Sequence, residues 1–474
     1  MRRMNLTLAT GAMMMALHPA ATAQPTRTAQ AQAVDARAVV AEIRRIVAER
    51  YVLPERRPQL DAILAEGLKS GRYATKDPAE LARRINADLQ RAGRDQHLRI
   101  NYSPEEAAMT EPPPPLPGGP GGPGGPGVPQ GPGPGGPGPG PGPGGPGPAG
   151  PPAGPAAEFE RRVRAMNHGV RTLAVLPGNV RYIDVRAFGW IGEGSEAALG
   201  NVMRFLADGD AAIIDLRSNN GGSPPAVGFM VSHFVEAGRP LASFQMGGRT
   251  LGTMSSFPDL PSPRMVGKPL FVLTSGGTAS AGEEFAGHVA GYRLGDIVGE
   301  TTAGAAFRNE WHPIPGGFVF SVSIGRTILA STGKDWEGVG VAPTMPAPAA
   351  RALDVAHAAA LRRLAARAAG EDRAHLEGIA EAVAAGADGR KPALPLAAYA
   401  GRYGERTISE QGGRLYLRQG RGPAVALVAL GDHRFAHEDN PGTQITFEAQ
   451  GEAVTGLAVG PAGREIEERS GRTE

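Results

Sequence analysis

The segment from Leu270 to Phe285 reads LFVLTSGGTASAGEEF. An apolar strand pattern runs into Gly276 and Gly277, and a helical pattern opens at Ser280. A serine at the start of a helix, after a sharp turn, is placed for nucleophilic work. Its hydroxyl projects from the turn, and the backbone N–H groups that follow point at a developing oxyanion. The same pattern also describes a helix N-cap, with Glu283 three residues on completing a capping box. A second constellation, DLRSNNGG from Asp215 to Gly222, ends another apolar strand pattern. Its paired glycines let backbone approach a ligand closely and offer N–H groups to an anion, or serve only as a tight turn. Both features lie beyond the carboxyl ends of strands, where open α/β sheets bind their ligands.

A serine hydroxyl needs a base. The first lysine after Ser280 is Lys334, in a polar, loop-like run where a lowered pKa is hard to arrange. His97, in Asp95-Gln96-His97-Leu98, is the better base. Glu337, in DWEGVGVAP, has the chemistry to orient a histidine and to stabilise its imidazolium. Taken singly, each is as readily a structural histidine or a loop glutamate.

The elements that must position these residues follow from periodicity. From Val34 to Gln96 apolar residues recur at helical spacing, as in Val39, Val40, Ile43, Ile46 and Val47, predicting a bundle of three short helices. His97 to Tyr102 reads as a strand. Residues 111–156 are almost wholly Gly and Pro and predict an extended linker with no core, open at most to partners that read Pro-rich segments. From 157 to 370 strands and helices alternate: strands at Val180 to Val185, Ala211 to Leu216 and Leu270 to Thr274, helices at Ala197 to Leu206, Pro225 to Val235 and Ser280 to Tyr292. Asp354 to Ala369 closes the unit as an amphipathic helix. That order predicts an α/β core with mainly parallel pairing. Residues 395–474 carry short runs parted by Gly, Asp and Asn, the pattern of a small all-β domain.

Composition narrows the function classes. Lys plus Arg number 49 against 47 acidic residues, a balance that argues for neither nucleic acid nor an anionic membrane as partner. The absence of Cys excludes disulfides and thiolate chemistry, and nothing in the sequence signals a metal or other cofactor. Arg2 and Arg3, an apolar run from Leu6 to Leu17 and the small-residue exit Ala21-Thr22-Ala23 read as a signal peptide over 1–23. The expectation is a periplasmic or secreted protein with no membrane span after cleavage. The oligomeric state is not written in the sequence.

Several segments together resemble the tail-specific (C-terminal processing) serine protease family, in the branch of the tricorn core protease and interphotoreceptor retinoid-binding protein. They are Tyr51-Val52-Leu53-Pro54, Asp95-Gln96-His97-Leu98, Leu176-Pro177-Gly178-Asn179-Val180-Arg181-Tyr182, DLRSNNGG, TSGGTASAGEEF, Val298-Gly299-Glu300-Thr301-Thr302-Ala303-Gly304 and DWEGVGVAP, in the family's order. The resemblance implies a crotonase/ClpP-like core with an N-terminal helical bundle, and a serine peptidase acting on peptides or proteins. It implies Ser280 as nucleophile, His97 as base, Glu337 as its orienting acid, and the N–H groups of Ala281 and of Gly221 or Gly222 as oxyanion hole. Two departures matter. Ala305 stands where the Ser/Lys members carry their lysine, and Gln96 stands where tricorn has an extra serine. No PDZ-like segment is found. The retinoid-binding relatives keep a non-catalytic binding protein open as an alternative, and an esterase on the same site is a third reading.

Overall fold

The computed structural model describes residues 35–110, 155–247, 249–464 and 468–473. The expected signal peptide and nearly all of the Gly/Pro-rich tract lie outside them. Helix α1 (Ala36–Arg50) is capped by Asp35, whose carboxylate accepts from the N–H groups of Arg37 and Ala38, and it buries Val39, Val40, Ile43, Ile46 and Val47. Helix α2 (Arg57–Lys69) and helix α3 (Pro78–Gly93) complete the bundle. Helix α3 stops at Arg94, which takes the left-handed conformation of a helix terminus. The turn that follows carries His97 into strand β1 (Arg99–Tyr102). Two helices, α4 (Pro104–Met109) and α5 (Pro155–Ala165), flank the tract.

The core proper holds strands β2 (Val170–Leu176) and β3 (Val180–Val185), helix α6 (Glu193–Ala207), β4 (Ala211–Asp215) and α7 (Pro224–Ser232). Strands β5 (Pro240–Met246), β6 (Arg249–Ser255) and β7 (Leu270–Thr274) come next, then α8 (Ala281–Gly291) and β8 (Asp296–Gly299). The long hairpin β9 (Phe307–Ile314) and β10 (Phe318–Leu329), then β11 (Met345–Pro346) and helix α9 (Ala352–Ala365), close it. The central sheet has the order β11-β8-β7-β4-β3-β2, parallel except for the β2–β3 pair. Strands β4 and β7 are buried along their whole length, and the sheet is packed on both faces: Leu199, Phe229 and Phe285 on one, Phe271, Ala356 and Leu361 on the other. The predicted α/β class with mainly parallel pairing describes this sheet.

A second, antiparallel sheet of β1, β10, β5 and β6, with β9 beside β10, was not legible in the sequence. Strands β5 and β6 are largely half-buried or exposed, so no apolar alternation marks them. Strand β1 pairs with the start of β10, Ile100 opposite Phe320, and Leu98 and Ile100 share one apolar cluster with Ile43, Leu89, Phe318 and Phe320. The helical bundle is thereby fastened to the core through the chain immediately after His97. Helix α10 (Gly370–Asp388) also had no counterpart in the sequence reading; it packs on α9 through Ile379 and Ala380. Beyond it, β12 (Gly401–Tyr403), β13 (Arg406–Gln411), β14 (Arg414–Gln419), β15 (Ala424–Gly431), β16 (Arg434–His437), β17 (Thr443–Gln450), β18 (Ala453–Pro461) and β19 (Glu468–Thr473) form a closed antiparallel barrel. Closure leaves it no sheet edge, and Tyr399, Phe435 and Phe447 fill its interior. Among the described residues no helix is long and apolar enough to cross a membrane.

Candidate active site

Strand β7 delivers the chain into the turn Ser275–Ala279, which is tied to the end of β4. The Ser275 hydroxyl donates to the Arg217 carbonyl at 2.6 Å, and the Thr278 hydroxyl donates to the Leu216 carbonyl at 2.8 Å. Asn219, fully buried, joins three pieces: its amide donates to the Val185 carbonyl, its side-chain oxygen accepts the Gly221 N–H at 2.9 Å, and its own carbonyl accepts the Ala279 N–H. Ser280 then adopts φ 53° and ψ −119°, a conformation that costs a non-glycine residue roughly 1–3 kcal/mol and is held only by its surroundings. Gly221 (φ 115°) sits against it; a Cβ there would lie 2.8 Å from the Ser280 Cβ. Gly222 (φ 139°) passes so close to Phe188 that a Cβ would meet its carbonyl oxygen at 2.4 Å. Glycine is required at both positions.

Among the described residues, the N–H groups of Gly222 and Ala281 donate to no acceptor, whereas that of Gly221 is taken by Asn219. The Ser280 N–H donates to Glu283 at 3.0 Å. Glu283 does more than complete a capping box. Fully buried, it also accepts from the Thr302 hydroxyl and the Gly304 N–H, each at 2.6 Å, and from the Ala305 N–H at 2.7 Å. The Ser280 turn is thus clamped to residues 302–305, and the Ala303 N–H adds a bond to the Thr278 carbonyl.

The same stretch of backbone receives the other two predicted residues. The Gln96 side chain donates to the Ala303 carbonyl at 2.7 Å, docking the turn that carries His97. Glu337 accepts from the N–H groups of Ala306 at 2.6 Å and Phe307 at 3.1 Å through one carboxylate oxygen. Its other oxygen and His97 Nδ1 are buried without a partner. No hydrogen bond joins His97 to Ser280 or to Glu337 among the described residues; what converges is the set of turns that carry them. The His97 N–H donates to Asp95 Oδ1 at 2.9 Å. Burial pulls the imidazole below its usual pKa, Asp95 opposes that, and Arg99 adds to it. Burial, then the charge of Asp95, push Glu337 up to about 8 against the two backbone donors, with Asp335 adding a smaller push. Asp95 and Glu283 are the side chains that sequence reasoning undervalued; the signal for Asp95 was its place two residues before His97.

A carboxyl group whose pKa is raised by folding favours the folded state below its unfolded value, and that contribution is lost as pH climbs through the folded value. Glu337→Gln should therefore match the parent near pH 5 and exceed it in thermal stability above about pH 8, the window between the ordinary 4.5 and the raised value. Melting curves across that range test this; a difference that does not widen with pH contradicts it.

Beside Ser280 lies a pocket of about 130 Å³, lined among others by Gly222, Ala281, Phe307, Arg308 and Trp336. The Arg308 guanidinium lies 4.5 Å from the centre of the Phe244 ring. Among the described residues no group of three or more His, Asp or Glu side chains is placed to hold a metal ion.

Residues 179–347 match the family described as peptidase family S41, and residues 31–120 match the N-terminal domain of that peptidase found in eukaryotic IRBP. Among solved structures, the chain is similar in part to a lipoprotein from Streptococcus agalactiae, with 14% identity, 69% of this chain and 96% of that one covered and a TM-score of 0.44. It is similar in part to the photosystem II D1 C-terminal processing protease, at 17% identity over 67% of this chain and 94% of the other, TM-score 0.36. For the tricorn protease the figures are 18%, 41% of this chain, 16% of that one and 0.24. With the two matches following one another in chain order across the helical bundle and the α/β core, the chain carries a peptidase family S41 domain preceded by that peptidase's N-terminal domain, the domain of a serine peptidase.

Proposed function

We propose that this protein is an exported serine peptidase that hydrolyses peptide bonds through an acyl-enzyme on Ser280. His97 takes the Ser280 proton as the hydroxyl attacks the scissile carbonyl, and returns it to the leaving amine. Water, deprotonated by the same imidazole, then releases the acyl group. Glu337 orients His97 and offsets the charge of the imidazolium. The oxyanion falls to the N–H groups of Ala281 and Gly222, because Asn219 already occupies that of Gly221. The observation that carries this reading is the strained Ser280 turn, clamped through Glu283 to the same 302–307 backbone that receives the turns of His97 and Glu337. Acid–base contacts are often long in free enzymes and tighten on substrate binding, so the open His97 contact is compatible with it. Export rests on the charged, apolar and small-residue succession over residues 1–23.

A fluorophosphonate probe tests the reading directly. The expected result is a single adduct on the Ser280 peptide by mass spectrometry, absent in Ser280→Ala and slowed in His97→Ala. A native protein that takes no adduct at Ser280 is a binding protein on a peptidase fold.

A further inference from the structure

Glu284 stands one helical turn after Ser280, its N–H donating to the Ser280 carbonyl at 2.9 Å, so the two side chains lie along one face of α8. It is only 3% exposed, yet it lines the pocket beside Ser280. Its Oε1 is sealed from solvent 3.7 Å from Nε2 of the fully buried His288 and makes no hydrogen bond, which leaves Oε2 to face the pocket. Arg308, on β9, lines the same pocket from its exposed side. Its guanidinium lies 4.5 Å from the centre of the Phe244 ring and, among the described residues, makes neither a hydrogen bond nor an ion pair. An acid and a base therefore share one small cavity without pairing. Each is held back by a different neighbour, His288 beside the carboxylate and Phe244 against the guanidinium. Polar groups enclosed in this way find a partner in protein, water or ligand, and the group that fits between a bare acceptor and a bare donor is one that both gives and takes a hydrogen bond.

We propose that this pocket selects a substrate residue beside the scissile bond whose side chain ends in a primary amide, glutamine or asparagine. Glu284 accepts from the amide N–H, and the Arg308 guanidinium donates to the amide oxygen. The inference rests on the peptidase reading above and names its substrate class. Ser280, Gly222 and Ala281 line the same pocket, so the residue held there flanks the reacting carbonyl. Size agrees: at about 130 Å³ the pocket is a little smaller than the roughly 150 Å³ cavity that admits benzene, room for about five non-hydrogen atoms. Phe307 and Trp336, both buried, supply apolar walls for the stem. Asn309 is engaged with the Ser321 hydroxyl at 2.7 Å, and the Thr327 hydroxyl, able to give or take, discriminates against nothing. Lysine matches the length but brings a cation to Arg308, glutamate brings an anion to Glu284, and leucine leaves both charges bare. Only the amide satisfies both ends, and a site built to hydrogen-bond its substrate rejects analogues that cannot.

The test uses the full chain and internally quenched peptides that differ at one position, carrying glutamine, asparagine, lysine, glutamate, leucine or alanine there, with the cleavage point mapped by mass spectrometry. The two amide peptides should exceed the others in kcat/KM by about 10- to 100-fold, the discrimination that hydrogen bonds to charged groups bring. Cleavage should fall beside the amide residue. A parent that favours lysine, glutamate, leucine or alanine overturns the proposal. Removing one end should then change the preference rather than only the rate. Arg308→Met should bring lysine above glutamine, because Glu284 is left to decide alone, and Glu284→Leu should raise glutamate for the converse reason. An order unmoved in Arg308→Met overturns the proposal, and this variant, altered at an exposed position, decides alone should Glu284→Leu fail to fold. Binding of the same peptides to Ser280→Ala, followed by fluorescence anisotropy, should repeat the parent's order. If the parent cleaves no peptide and takes no fluorophosphonate adduct, the peptidase reading falls; the binding order still decides the pocket, and equal affinities overturn it.

Discussion

Ser280→Ala should reduce peptide hydrolysis by about four to six orders of magnitude, His97→Ala by a similar factor, and the double variant by no more than either alone. The lack of additivity follows from the mechanism. In the proposed mechanism the imidazole contributes by taking one particular proton, and with the hydroxyl gone there is no proton to take. What remains is the contribution of substrate binding and of the Gly222 and Ala281 donors, which neither substitution touches. Single-turnover kinetics on a fluorogenic peptide, with circular dichroism to establish that each variant is folded, measures the cycle. Two losses that multiply would separate His97 from the serine. A Ser280→Ala protein retaining a tenth of the activity would move the chemistry to another residue.

The second large effect falls on stability. Glu283→Ala should destabilise the protein by on the order of 3–5 kcal/mol, because it deletes a buried carboxylate and strands the donors that it satisfies. Those donors are the N–H groups of Ser280, Gly304 and Ala305 and the hydroxyl of Thr302. Glu283 is fully enclosed, so its removal leaves them facing a buried void. The same substitution releases the strained Ser280 backbone, so activity should fall further than the folded fraction does. Glu283→Gln, nearly isosteric but able to accept through one oxygen only, should cost less than the alanine change in both respects. Urea titration of the three proteins checks the order. Equal midpoints for all three would mean that the clamp contributes nothing.

Several features of this protein can be read directly from its residues. Helical spacing marks α1 and α3, continuous apolar runs mark β4 and β7, and the Gly-Gly turn between β7 and α8 places Ser280 at a helix start. These are local properties, written within a few residues of one another, and periodicity reports them well. Gly221 and Gly222 were likewise visible, but which N–H stays free was not. That depends on Asn219, whose side chain engages Gly221 and the end of β3 while its main-chain carbonyl holds the Ser280 turn.

His97 shows the limit most plainly. The docking of its turn depends on β1 pairing with β10, on Gln96 reaching the Ala303 carbonyl and on Glu283 tying 302–305 to the start of α8. Each contact joins residues far apart in the chain, and β5 and β6, which complete that sheet, carry no apolar alternation to announce it. Local pattern encodes which face of an element is apolar; it does not encode which distant backbone group will be left to satisfy a buried donor. The residue types suited to acyl chemistry were therefore determined by the sequence, while tertiary structure alone decided their common scaffold, the choice between the two glycine N–H groups and the burial that raises the Glu337 carboxyl.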